Sequence, residues 1–412
     1  MRSTSLLRTL LALQQTRVLD LEFEGDALVV HVAPTWKVSR CTQCGKKCKS
    51  GYDDRLRDWR HIDLAGIKTI LRYRMRRVDC KKCGVLVEKV PWAESASRYT
   101  FPMEGLVAYH AQKTDHTTVA TLMRIAWRTV GSIVERFVQR QSVDMPDPLA
   151  NLRNIGVDEI SYRKHHQYIT TVVDHDRGVV VWAAPGKNAE TLKSFFDALG
   201  TERSAKIEAV TIDMSSAYIK AVKESVPNAT LIFDRFHVQR LVHDAVDEVR
   251  RDEVRSACAE EKAGLKKTRW PLQKRPWNLT DLETAKLKDI EEQNQPIYRA
   301  YLLKESLAAI LDGRQINVAR RKLDQWLGWA RGSELPAFVR VAGTIEKHRE
   351  GILAYVRTRL NNGRVEGLNG KARVITRRAF GFHSASSLIA TLFLCCGGVE
   401  THPCHIVPHF TH

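Results

Sequence analysis

No stretch of this 412-residue chain is apolar for long. The most hydrophobic, Leu388 to Cys396 (LIATLFLCC), is under half of the roughly 20 residues that span a bilayer. It reads as a buried helix. The N-terminus (MRSTSLLRTLLAL) lacks a small-residue cleavage site and carries Arg8 inside its apolar run, so it reads as a poor secretory signal, and a cytoplasmic protein is expected. Acidic charge is also short. Against 65 Lys and Arg stand 47 Asp and Glu, a net +18 with a pI near 9.6. That excess points to a polyanionic partner, and nucleic acid fits it better than a membrane surface. An even cysteine count is missing too: there are nine. In a reducing compartment, clustered cysteines are metal ligands more often than disulfides. What is present is ordinary globular usage, 43% hydrophobic and 27% charged, in a chain long enough for two or three domains.

Four cysteines form two Cys-x-x-Cys pairs, Cys41 with Cys44 and Cys80 with Cys83, each followed by glycine (Gly45, Gly84). Glycine there permits the tight turn of a zinc knuckle, and two knuckles supply a tetrahedral site for one structural zinc. Surface thiols or a redox pair are the competing reading. Cys48 is a possible substitute ligand that more simply stands free nearby. Between the pairs, Ile67, Leu71, Tyr73 and Met75 alternate with Lys68, Arg72, Arg74 and Arg76, the pattern of a half-buried strand with a cationic wet face. From Arg55 to Lys82 there are ten Lys or Arg and three Asp, enough charge to contact several phosphates. Upstream, residues 18–32 read as a hairpin turning at Gly25-Asp26.

After a linker bracketed by Pro91 and Pro102, residues 104–141 have helical periodicity. A short helix with Thr117 as its candidate N-cap and a second over 127–138 suggest a helix-turn-helix, with Arg124, Arg128 and Arg136 toward DNA. An ordinary helical hairpin has the same pattern.

From Asn154 onward the texture is strand, hairpin, helix, strand, helix, strand, which suits a mixed sheet flanked by helices. Asp158 falls on the first strand and Asp213 at the carboxyl end of the fourth. If those strands are neighbours, two carboxylates meet, and their mutual repulsion calls for a cation. Two magnesium ions between such acids can activate a water or a 3′-hydroxyl and stabilise the leaving oxygen of a phosphodiester. Glu366 is the best third carboxylate by setting, on a helix carrying Lys371, Arg373 and Arg377 that could hold a DNA backbone. The Asp174-His175-Asp176 cluster reads as hairpin-turn chemistry instead.

Gly156-Val157-Asp158-Glu159 with Tyr162-Arg163-Lys164, Asp213-Met214 before Tyr218, Asp234-Arg235-Phe236-His237 and Asn362-x-x-x-Glu366-Gly367-x-Asn369 resemble the ISL-three family of bacterial insertion-sequence transposases. The resemblance extends to the paired cysteines, the helix pair and Arg378-x-Phe380-Gly381-Phe382. It implies an RNase H-like core with a catalytic Asp158, Asp213 and Glu366, and a site-proximal Asp234 and His237. Departures are His165-His166, where Gly-His is expected, and the tail THPCHIVPHFTH.

The expected whole is a multidomain α+β protein. A hairpin and zinc ribbon (1–95) and a helix-turn-helix (100–145) precede an RNase H-like α/β core (150–237), an all-helical insertion (238–360), completion of the core (361–398) and a tail (399–412). Trp270, Trp277, Trp326 and Trp329 are expected to anchor the insertion. The implied activity is magnesium-dependent cleavage and joining of double-stranded DNA at terminal inverted repeats and a target, by a homodimer or larger assembly. A DNA-binding regulator with an inactive core, or a nuclease that cuts without joining, would share these features.

Overall fold

The computed structural model describes residues 7, 9–11, 13–49, 51–163, 167–360, 363–378, 382 and 384–403, without the side chains of 144, 162, 163, 260, 263, 363–366, 369 and 378. His165-His166 and the end of the tail lie outside the described residues. The chain forms two compact units, residues 1–144 with 378–412, and residues 145–377. No helix among the described residues is long and apolar enough to cross a membrane.

In the first unit, β1 (Thr16–Glu24) and β2 (Ala27–Pro34) form the hairpin, closed by the two-residue turn Gly25-Asp26. Gly25 takes φ +60° there, a conformation that glycine adopts without penalty. The long central strand β4 (Lys68–Cys80) pairs in parallel with β2 and antiparallel with β3 (Gly51–Arg60), while β5 (Gly84–Val87) pairs with its end. Its inward residues Leu71 and Met75 join Trp59, Trp92 and Val30 in a core where the two indoles meet edge to face at 5.5 Å. The alternation slips at Arg76-Arg77, both exposed, so that Val78 and Cys80 turn inward to the cysteine cluster. Ile67 is not part of the inward face. It precedes the strand in a turn held by Ala65 and Gly66 at positive φ, and it is exposed.

Three helices follow, α1 (Phe101–Lys113), α2 (His116–Met123) and α3 (Trp127–Asp144). The N-cap of α2 is Asp115 rather than Thr117: its carboxylate accepts from the Thr117 and Thr118 amides at 2.9 Å each. The apolar segment near the C-terminus is the helix Ala385–Cys396, and it packs on α3 and α1. Gly131 of α3 makes room, since a Cβ there would lie 2.4 Å from Ser387 Oγ. Residues 361–398 are divided between the two units, and the terminal helix buries Leu388, Leu392 and Leu394 within the first.

The second unit is built on a five-stranded sheet in the order β10-β9-β6-β7-β8. Its members are β6 (Asn154–Arg163), β7 (Gln167–Asp174), β8 (Val179–Pro185), β9 (Ala209–Ile212) and β10 (Thr230–Phe233). β6, β7 and β8 run antiparallel, and β9 and β10 lie parallel to β6. β9 is buried throughout, as a central parallel strand should be. Helices α4 (Ala189–Leu199) and α5 (Ser216–Ser225) return the chain between strands. The long α6 (Arg235–Ser256) leads into a helical array containing α7 (Asp281–Gln293), α8 (Gln295–Asp312), α9 (Ile316–Arg331), α10 (Pro336–Lys347) and α11 (Arg349–Thr358). α11 returns to β10, where Gly351 permits contact: a Cβ there would fall 2.4 Å from the Phe233 ring.

Of the four tryptophans in that array, Trp326 alone is a core anchor. It lies on the buried stripe Ala319, Leu323, Trp326, Leu327 of α9 and donates through Nε1 to Leu303 O at 2.8 Å. Trp329 falls off that stripe. Trp270 and Trp277 are 66% and 70% exposed, with Arg269 and Arg275 over their rings.

Candidate active site and zinc centre

The sulfurs of Cys41, Cys44, Cys80 and Cys83 all lie within 4.8 Å of one another, with Cys44 and Cys80 3.6 Å apart. Tetrahedral zinc with bonds of about 2.3 Å needs sulfurs just under ~4 Å apart, so the quartet fits one ion. Gly45 and Gly84 stand at φ +69° and +76°, closing both knuckles. The Lys82 and Cys83 amides donate to the Cys80 sulfur and pull its pKa down to about 6, favouring the thiolate that metals bind. Cys48 is outside the quartet; burial pushes its thiol up, and its S–H faces Lys46 O at 3.6 Å.

The basic strand differs from its sequence pattern. The count from Arg55 omitted Asp53 and Asp54, which the β3 register places opposite Arg77 and Arg76. Arg72 is bidentate to Asp58 and also pairs with Glu24, Arg74 holds Asp54 at 3.0 Å, and Arg77 holds Asp53 at 2.6 Å. The wet face is thus a ladder of cross-strand ion pairs, not an unbroken cationic strip. Arg124, the left-handed C-cap of α2, pairs with Asp63. Arg136 turns inward with Arg140 to the wholly buried Glu104, each at 2.8 Å, tying α3 to α1. Among the described residues, no ion pair engages the half-buried Lys68 or the exposed Arg76 and Arg128.

Strand register builds the second site. Gly156 pairs with Thr211 across β6 and β9, and Ile212 with Phe233 across β9 and β10. Carried on, these registers set Asp158, midway along β6, level with Asp213 and Asp234 just past the carboxyl ends of β9 and β10, about 4.8 Å apart from strand to strand. The ladder reaches this level, since the Asp234 amide donates to Ile212 O at 3.0 Å. Each acid also accepts from a backbone amide just downstream: Asp158 from Glu159 within β6, Asp213 from Ser215 and Asp234 from Phe236 beyond their strands, at 2.7, 2.9 and 3.3 Å.

Burial raises the Asp158 pKa, the Asp234 and Asp213 charges add to the rise, and the Glu159 amide and His237 oppose it. Asp234, His237 and Asp213 therefore share one electrostatic site with Asp158. Pattern reading did not single out Glu159 as a site residue. Its pKa is also raised, by burial first and by Asp213 among its charged neighbours, while the Tyr218 hydroxyl, 2.9 Å from Thr170 Oγ1, holds it. Two consecutive acids set between apolar residues within a strand were the available signal. The oxygens here converge less closely than the thiols, which form the tightest ligand group among the described residues. Glu366 stands in α12 (Gly363–Arg378) of the same unit, and its side chain lies outside the described residues. Lys371, Arg373 and Arg377 are exposed on that helix. The turn cluster is structural: Asp174 accepts from the Asp176 amide, and buried His175 bonds Thr211 Oγ1 at 2.6 Å.

A cysteine ribbon, a helix-turn-helix and a mixed sheet with acids aligned across its parallel strands, in that order, define a DNA-acting enzyme of the transposase class. Three family models match in the same order: a zinc finger of transposases over residues 37–83, a helix-turn-helix domain of transposase family ISL3 over 88–138, and a transposase domain over 155–392. The chain is 40% identical to the transposase for insertion sequence element IS1557 of Mycobacterium tuberculosis, over 97% of this chain and 96% of that one. It is 30% identical to the transposase for element IS1001 of Bordetella parapertussis, over 88% and 89%. The chain belongs to the ISL3 family of transposases.

Proposed function

We propose that this transposase binds the terminal inverted repeats of an insertion sequence, cuts the DNA at its ends and joins them to a target. The observation that carries the reading is the row of Asp158, Asp213 and Asp234, level across three adjacent parallel strands. Hard oxygen donors at that spacing suit magnesium, and a buried Asp158 raised by like charges is the state a divalent ion relieves. When bound, two such ions supply activation of a water or 3′-hydroxyl and charge stabilisation at the phosphodiester.

The chain's own residues divide the remaining tasks. Asp158 and Asp213 hold the metal side of the site, with Glu366 as the third carboxylate. Asp234 and His237 flank them, and Asp234 also sets the first turn of α6. Lys371, Arg373 and Arg377 hold the DNA backbone beside the acids. In the first unit, contacts to the ends fall to Lys68, Arg76 and Arg128, because Arg72, Arg74 and Arg124 already have carboxylate partners. One structural zinc holds the ribbon. Two ends must meet for joining, so the working assembly is a homodimer or larger.

The test is cleavage of DNA carrying the element's ends. In magnesium, Asp213→Asn should lower cleavage at least about a thousandfold, the several kcal/mol a catalytic metal site supplies, while end binding persists. Cleavage at the wild-type rate refutes the assignment. Cutting without strand transfer would mark a nuclease.

A further inference from the structure

A cleft of about 1050 Å³ opens beside the carboxylate row, wholly within the second unit. Its floor is the edge strand β10, and its walls are α5 on one side and α9, α10 and α11 on the other. Met214 and Phe233, which line it, adjoin Asp213 and Asp234 in sequence.

The cleft gathers six Lys and Arg and neutralises only two of them, Lys220 with Glu224 at 3.9 Å and Arg349 with Asp324 at 2.7 Å. Lys223, Arg320, Lys347 and Arg357 line it, are exposed, and have no ion-pair partner among the described residues. Two of its three glutamates are engaged: Glu224 by Lys193 at 3.0 Å and Glu346 by Arg331. Glu350 is the third. The crowding of like charge registers on His348 in the same wall, whose pKa is lowered by burial and then by Lys347 and Lys223. On the strand face of the first unit, by contrast, Arg72, Arg74 and Arg77 each have a carboxylate partner.

We infer that this cleft is a sequence-independent binding track for the phosphodiester backbone of duplex DNA, and that it delivers target DNA to the acids. Lys and Arg on phosphates position a duplex without reading its bases, as a target strand requires and an inverted repeat does not. The identity of the duplex as target rests on the proposed transposase activity; the binding itself does not.

The test uses full-length protein and a mixed-sequence duplex without the element's ends. Affinity is measured across a salt series for wild type, for Lys223→Gln/Arg320→Gln/Lys347→Gln, and for a control of equal charge change, Arg203→Gln/Lys206→Gln/Arg255→Gln, whose three cations are ion-paired. Each phosphate contact contributes about 0.9 to the slope of log affinity against log salt, so the cleft variant should lose about 2 to 3 from it. The control should lose less than about 1. A cleft variant with the wild-type slope, or a control that loses as much, overturns the inference. Photo-crosslinking of wild-type protein to an iodouracil-substituted duplex guards against a misfolded variant. Adducts within 216–224 or 346–357 support the track, and adducts confined to 1–144 contradict it. End cleavage by the same wild-type preparation reports separately on the proposed activity.

Discussion

The cysteine quartet and the carboxylate row are both clusters of side chains of metal-ligating type, yet they are assembled by opposite means. Four thiols are brought together by two short turns, each fixed by a glycine at positive φ and each supplying two ligands. Three carboxylates are brought together by the register of strands whose ligands lie 55 and 21 residues apart. The first set belongs to its unit's stability, since a preformed cysteine site does not exist in the unfolded chain and metal affinity becomes folding energy. The second set opposes it, since buried like charges weaken the fold that holds them. Under the proposed function, that contrast separates a structural ion from a catalytic one.

The contrast is broken most severely at Cys80. Cys80→Ser should release zinc and unfold the first unit, with a loss on the order of 10 kcal/mol, while the second unit's melting transition persists. Calorimetry with metal analysis reads both, and an unchanged zinc content would contradict the quartet. A smaller effect of opposite sign is expected at Asp158. Its folded pKa is raised, so the folded state holds this proton more tightly than the unfolded chain does. In magnesium-free buffer the group costs stability as pH climbs from its unfolded pKa of about 3.9 through the folded value, and at neutral pH that cost is complete. Asp158→Asn should therefore melt higher than wild type at neutral pH, with the difference vanishing in acid. Equal melting temperatures across that range would show that the acids are not in conflict. Smallest is Arg74→Ala on the ion-pair ladder. Both partners are exposed, so less than about 1 kcal/mol is at stake, and affinity for the ends should fall less than with Arg128→Ala.

What could be read from sequence follows the same division. The knuckles, the hairpin turn at Gly25 and the buried terminal helix were legible because their determinants sit within a few residues of each other. The order of strands around Asp158 and Asp213 was legible as well, but their adjacency depended on β9 lying beside β6, which only the sheet decides. The cationic face of β4 misled for that reason. Its carboxylates come from β3 across the sheet, and two of them lie just outside the run in which the charge was concentrated. Among the tryptophans, residue type gave one expectation for all four, while helical phase buried Trp326 and exposed its neighbour Trp329. The packing of the last helix on α3 depends on Gly131, far away in sequence, and carried no local signal.

The central claim is that the level acids hold the catalytic ions while the cysteines hold a separate structural one. Manganese, a spin-active substitute for magnesium, can be titrated into the zinc-loaded protein and followed by electron paramagnetic resonance, with zinc measured in the same samples. Two manganese ions per chain are expected for wild type, with manganese binding lost in Asp213→Asn and zinc unchanged at one. Undiminished manganese binding in that variant would contradict the account.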